Sequence, residues 1–412
     1  MLAPPEVESI RAEIPATESL TYFNTGWQGP CPRTVIAAVQ ETFAMESSGP
    51  TAPSVNQKRL DVFRAARRAM AGLINATPQE ITLQQNTTEG INIVVGGLGL
   101  KPGDEVITCS LEHPSVAVPF YYTRERYGAN AKIVALSAAD SDGDILSRFE
   151  EAITPATRLI ILSHVTYGSG QLLPIAGISR LAHERRGHVL LDAAQSVGQL
   201  PVDVRELKVD FCAFPGHKWL LGPAATGALY VRRDLIERLE PPRVAHHAAH
   251  FYNFEGRFEP ETASVEKFEL TTVSVPLLAG LLAAMEFIEG IGVDTVRERA
   301  VHLGRYATRR LAGVPGLRFV SPANEEAVAS GIVSFSLPKV PAGILTACLW
   351  ERGRIVARTI PEAACTRLSL HVFNTEAEVD ATAAIVEELA RGGPPPGEFP
   401  TYALELQTMV EL

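Results

Sequence analysis

Between His188 and Trp219 the chain holds two short apolar runs, HVLLD and DFCAF, and each ends on polar chemistry. Asp192 closes the first run and Gly-His-Lys-Trp, with Lys218, follows the second. Runs of this length read as strands of a parallel sheet, and ligands of open α/β folds collect at the carboxyl ends of such strands. An acid and a lysine delivered to one sheet mouth are what pyridoxal phosphate (PLP) requires. Its aldehyde must be held by a lysine amine, and its ring nitrogen stays protonated only beside a buried carboxylate. Taken singly, a strand-end aspartate is usually a helix cap and a lysine is usually a surface residue. The pair becomes informative only with the residues around it.

The rest of the chain supports the fold that this pair demands. Short strands are predicted at ITL (81–83), EVITC, KIVAL, RLIILSHV, HVLLD, DFCAF and GALYV, alternating with helices, the pattern of βαβ units and a mainly parallel sheet. A helix capped by Thr87 or Thr88 follows the first strand, and LEHPSVAVPFYYTRERYG forms another. Beyond about Val275 the pattern changes to longer amphipathic helices, then GIVSFSL, a helix around ILTACLWERG, and strands at IVART and TRLSLHV. This predicts an N-terminal arm (1–20), a large domain (21–275), a smaller C-terminal α/β domain (276–393) and a Pro-rich tail (394–412).

Composition narrows the function. With 46% hydrophobic and 20% charged residues in 412, the chain reads as an ordinary globular enzyme. Its 47 acids against 37 bases and lack of a basic run point to a small-molecule partner, not nucleic acid or membrane. Neither a signal peptide nor a membrane span is expected. The scattered Cys31, Cys109, Cys212, Cys348 and Cys365 lack metal-ligand spacing and suit a reducing cytoplasm. His246, His247 and His250 have no cysteine or acid motif to complete a metal site, so no metal is expected.

The segments QQNTTEGIN, LEHP, LLDAAQS, FPGHKWLLGP and KFELTT, in this order, resemble the class V, fold-type I aminotransferase superfamily of PLP enzymes. The resemblance runs from about Tyr22 to about Val379. It is nearest to the cystine/cysteine C–S lyase and isopenicillin-N-epimerase-like branch in YFNTGWQGPCP, HVTYGSGQLLP, GHKWLLGPAATGALYV and VARTIPEAACTRLSLH. It implies a large domain with a mainly parallel seven-stranded sheet, a smaller C-terminal α/β domain, and a homodimer whose active site lies at the subunit interface.

The resemblance also assigns roles. Lys218, Asp192 and His113 form the implied catalytic set, with His113 stacked on the cofactor ring. Thr87, Thr88 and His217 would hold the cofactor phosphate at a helix start. Gln195 would donate to the phenolic oxygen, and Thr272 would reach the phosphate of the neighbouring subunit. Arg358 and Arg367 match arginines near the substrate carboxylate, where a guanidinium fork binds bidentately, with Arg358 expected as the principal contact. Asn24 and Tyr167 complete the implied substrate pocket.

Three departures shape the expected reaction. Pro215 replaces the usual Ser or Thr before Gly-His-Lys, so one phosphate hydroxyl is missing and the turn is stiffer. Tyr167 stands where many relatives have Asn. Only IPEAA (360–364) separates Arg358-Thr359 from Cys365-Thr-Arg367, too little for the mobile cysteine loop of desulfurases. The expectation is a PLP-dependent C–S lyase acting on cystine or a cysteine S-conjugate by α,β-elimination, with Cys365 not a nucleophile. Class V aminotransferase, epimerase, cysteine desulfurase and decarboxylating oxidative deaminase remain as alternatives.

Overall fold

A computed structural model of the chain describes residues 2–394, so the tail expected from Pro394 lies, beyond that residue, outside the described part. The first helices and strand are α1 (Pro4–Ala12), β1 (Thr21–Tyr22), α2 (Arg33–Ser47) and α3 (Pro53–Leu73). There follow β2 (Ile81–Gln84), α4 (Thr87–Gly97), β3 (Glu105–Cys109), α5 (Pro114–Tyr127), β4 (Asn130–Val134), α6 (Asp142–Ala152), β5 (Thr157–Ser163), α7 (Ile175–Glu184), β6 (His188–Asp192), β7 (Phe211–Pro215) and β8 (Gly227–Val231). A hairpin of β9 (Ala249–Tyr252) and β10 (Phe258–Pro260) leads to α8 (Val275–Ile291) and α9 (Val293–Ala312). The last part comprises β11 (Arg318–Phe319), β12 (Ile332–Ser336), α10 (Ala342–Gly353), β13 (Ile355–Val356), β14 (Arg358–Ile360), β15 (Cys365–Ser369) and α11 (Glu376–Gly392).

Seven strands form one sheet in the order β2-β8-β7-β6-β5-β3-β4, parallel except for β8. Continuous apolar strands mark a sheet covered on both faces. Alternation along β5 shows this: Ile160 and Leu162 join one buried cluster with Val189, Leu191 and Phe214, while Leu159 and Ile161 join the other with Leu190 and Phe211. Each such side chain contributes roughly 1.5–3 kcal/mol by leaving water. Asp192, Ser163 and Pro215 are the last residues of β6, β5 and β7, which places all three on the carboxyl edge of the sheet.

A second sheet, β11-β12-β15-β14, is antiparallel and packs with α9, α10 and α11 around Phe335, Leu345 and Leu368. The predicted strand IVART divides at Ala357: β13 pairs with β1, and β14 pairs with β15. The N-terminal segment is thereby tied to this part, and Arg11 adds bonds to the Phe373 carbonyl at 2.7 Å and to Glu378 at 3.0 Å. The small sheet is joined to the carboxyl edge of the large one: Ser330 Oγ donates to the Gly170 carbonyl at 2.8 Å, and His371 Nε2 lies 3.0 Å from the Trp219 carbonyl. Among the described residues no single helix is long and apolar enough to cross a membrane; α8 and α9 bend by 76° at Gly292.

Candidate active site

A cavity of about 280 Å³ lies on that carboxyl edge, and its lining brings together Thr87, Thr88, His113, Tyr167, Asp192, Gln195, His217, Lys218, Arg358 and Arg367. Asn24 and Thr272 are not part of the lining. Asn24 bridges to Ser369 behind it, and Thr272 is exposed, with φ +63°, in the loop before α8.

At one end stands the start of α4. The cap is Asn86, not Thr87 or Thr88: its side chain accepts from the Glu89 amide at 2.9 Å, a task for which asparagine is among the best residues. Thr87, released from capping, occupies the first turn, and its buried Oγ1 has no partner in the protein. Thr88 donates to Ser115 Oγ at 2.9 Å. Across the cavity, buried Nδ1 of His217 is also unpartnered. The turn that carries it is tightly packed, because a Cβ at Gly216 would meet Thr226 Oγ1 at 2.3 Å. Buried polar groups are almost always paired, so two orphans lining one cavity, one of them in the first turn of α4, fit an anion supplied from outside, such as a phosphate.

In the middle, Asp192 is buried. Burial raises its carboxyl while Lys218 lowers it, and Oδ1 accepts from the Ala194 amide at 2.8 Å. Lys218 is pushed down to about 8, first by burial and then by Arg367 and Arg358, against the pull of Asp192. His113 caps α5, its Nδ1 accepting from the Ser115 amide at 3.0 Å, which leaves the proton on Nε2. Burial and the nearby Lys218 and arginines push it down to about 3, so it is neutral at physiological pH. Its ring meets Tyr167 edge-on at 4.8 Å. Gln195 is fixed at both ends, donating to the Gly26 carbonyl and accepting from Trp219 Nε1, each at 2.8 Å.

The other end is cationic. Arg367 is fully buried; its Nη1 donates to the Tyr167 carbonyl at 2.9 Å, while Nε and Nη2 have no partner. Burial and Arg358 push it down to about 9. Arg358 instead lays its guanidinium over Trp27, 3.9 Å from the ring centroid. The two arginines are cross-strand partners in β14–β15, which is why they arrive together. Gly26 permits the close approach, since a Cβ there would meet Ser369 Oγ at 2.7 Å and Arg367 Nη2 at 3.1 Å.

Cys365 lies opposite Ile360 in the same hairpin, is fully buried, and has its thiol pushed up to about 12, chiefly by burial. None of the five cysteines lines the cavity. His246 and His247 sit on a short 3-10 turn with rings 3.8 Å apart, and His250 is near Glu261; no group of three metal-ligating side chains forms among the described residues.

Sequence reasoning did not single out Gly26, Trp27, Ser115, Ser163 or Glu112. Glu112 accepts from the amide and hydroxyl of Ser163, at 2.8 and 2.6 Å; Ser163 pairs with Asp192 across β5 and β6, and burial raises Glu112 to about 7. Trp27 and Glu112 fall inside the segments YFNTGWQGPCP and LEHP, which was the available signal.

The chain matches the family described as Aminotransferase class-V over residues 27–382. It is 30% identical to a probable cysteine desulfurase of Methanothermobacter thermautotrophicus, over 94% of this chain and 98% of that protein. Among solved structures it is similar to the cystine C–S lyase C-DES in complex with its reaction product cysteine persulfide, at 30% identity and TM-score 0.84, covering 91% and 99% of the two chains. A variant of C-DES with glycine covalently linked to its PLP cofactor superimposes with TM-score 0.85, again at 30% identity, over 92% of this chain and 99% of that one. The apo cysteine desulfurase of Thermococcus onnurineus NA1 gives TM-score 0.87 at 27% identity, covering 95% and 99%.

Proposed function

The chain belongs to the class-V aminotransferase family, and from that premise we propose that it is a PLP-dependent carbon–sulfur lyase that cleaves cystine or an S-substituted cysteine by α,β-elimination. Lys218 would hold the cofactor covalently. Asp192 would face its ring nitrogen, His113 its ring, Gln195 its phenolic oxygen, and Thr87, Thr88 and His217 its phosphate. When bound, PLP supplies an electron sink for charge that develops at Cα of an amino acid.

The chain's own groups do the rest. Arg367 anchors the α-carboxylate through Nε and Nη2, the two donors left without a protein partner. Arg358, laid against Trp27, contributes charge at the rim. The amine of Lys218, brought down to about 8, takes the Cα proton near neutral pH. The Cβ–S bond then breaks with its electron pair going to sulfur. Water converts the remaining three-carbon enamine to pyruvate and ammonia, and sulfur leaves as a thiol, or as cysteine persulfide from cystine.

One observation carries the choice of lyase over desulfurase. The segment from Arg358 to Arg367 is a closed hairpin with Cys365 buried in it, so no thiolate is presented to the cavity. The desulfurase reading draws support from relatives that carry that name, but it lacks a sulfur acceptor here. Two wider features belong to the same proposal. The enzyme is a homodimer whose Thr272 serves the partner's phosphate site, consistent with its position away from its own cavity. It works in a reducing cytoplasm, where its five free cysteines stay as thiols.

The test is release of pyruvate from cystine and S-substituted cysteines by the PLP-loaded protein. Parent protein is expected to release it and Lys218→Ala to lose it. Conversion to a bound pyridoxamine form without pyruvate would instead indicate an aminotransferase.

A further inference from the structure

A second cavity of about 370 Å³ abuts the first, between α10 and the strands β13 and β14. Trp27 and Arg358 line both cavities, so their stacked pair forms the shared wall. Beyond the wall the lining is Trp350, Ile355, Val356 and Ala357. The hydroxyls there are already engaged: Thr346 Oγ1 bonds Thr359 Oγ1 at 2.8 Å and the Gly343 carbonyl at 2.9 Å. The backbone of this stretch is taken too, since Arg354 and Val356 carbonyls accept from Thr21 and Phe23. The Arg354 guanidinium covers the Trp350 ring, 4.8 Å from its centroid. Trp27, at the wall, is 54% exposed, a large apolar surface beside the reaction centre that a ligand would remove from water.

We propose that this groove receives the substituent on the substrate sulfur and selects cysteine S-conjugates whose thiol half is apolar, aromatic above all. The inference rests on the lyase reading for the position of the sulfur. Apart from Arg358 at the wall and the indole N–H groups, the groove's side chains are apolar or have their hydroxyls engaged, so it offers mainly hydrophobic and aromatic contact to a thiol half that lies along it. An aryl group lying against Trp27 and Trp350 would cover both indoles and leave the carboxylate on Arg367.

The decisive measurement is binding, made without turnover. PLP-loaded Lys218→Ala protein is titrated calorimetrically with S-benzyl-L-cysteine and S-methyl-L-cysteine. The benzyl conjugate is expected to bind about tenfold or more tightly, the gain for burying several apolar carbons. Adding Trp350→Leu, which strips the aromatic floor, or Ala357→Leu, which fills the groove, is expected to close most of that gap with S-methyl binding within about twofold of its starting value. Equal affinities for the two conjugates, or a gap untouched by both substitutions, would overturn the proposal. Failure of the lyase reading shows separately, as absence of pyruvate from S-methyl-L-cysteine with the parent protein.

Discussion

Two arginines occupy one register position of one hairpin, yet only one of them, Arg367, is fully buried with donors left unpaired. Arg367 is buried with Nε and Nη2 unpaired, whereas Arg358 is committed to Trp27. From the sequence Arg358 was the expected principal contact, because a motif shows residue type and neighbours but not which guanidinium ends up desolvated and aimed inward. Arg367→Lys keeps the charge and loses the fork. Its kcat/KM is therefore expected to fall about ten- to a hundredfold for an amino acid substrate, and far less for the carboxamide analogue. Equal losses on both would return the carboxylate to another partner. Lys218 yields a pH prediction. Its ammonium is disfavoured by burial, with the pKa brought to about 8, and the neutral amine is what captures an aldehyde. The rate at which apoprotein takes up PLP, followed by absorbance, is expected to rise with pH through about 8 and then level off. Asp192 holds the lysine's pKa up, so Asp192→Asn is expected to move the rise to lower pH. A shift to higher pH would contradict this electrostatic account.

At the scale of elements, the β14–β15 hairpin carries the proposed choice of elimination over sulfur transfer to a cysteine. Its turn, Pro361–Ala363 with Ala364 in the left-handed region, brings Cys365 opposite Ile360 and buries it. Cys365→Ser is expected to retain pyruvate formation within about threefold, since a small hydroxyl replaces a buried thiol without touching the cavity, and to cost stability on the order of 1 kcal/mol. A persulfide on Cys365, found by mass spectrometry with substrate present, would reverse the reading. The short segment between the arginines was visible in sequence spacing, and so were the strands EVITC, HVLLD and GALYV, whose predicted limits the structure reproduces. Apolar runs bounded by turn residues are local signals. What was not legible depended on partners distant in sequence. IVART reads as one strand, but β1 claims its first half and β15 its second. The hairpin β9–β10 carries exposed Phe251, Tyr252 and Phe258, with no apolar alternation facing a core. Asn86 outcompeted the threonines as a cap because its side chain meets the Glu89 amide, which frees Thr87 for a ligand.

For the whole molecule, the cavity is built where both sheets meet, and one implied phosphate ligand is missing from it. Thr272 is exposed in a single chain, and the exposed aromatics of β9–β10 include Phe254, Phe251 and Tyr252. Sedimentation at micromolar concentration is expected to give a dimer, and Thr272→Ala to weaken PLP binding about tenfold, the loss of one hydrogen bond to a charged group. A monomer that holds PLP as tightly as the parent would remove the shared-site proposal. The central claim is elimination without a sulfur-accepting cysteine, and it is tested most directly by the three-carbon product. PLP-loaded protein is incubated separately with L-cystine, S-benzyl-L-cysteine and L-cysteine, and pyruvate, ammonia and alanine are quantified together. Pyruvate and ammonia in equal amounts, matching the sulfur released and with alanine absent, is the predicted result; alanine as the main product, with sulfur retained on a protein cysteine, would contradict it.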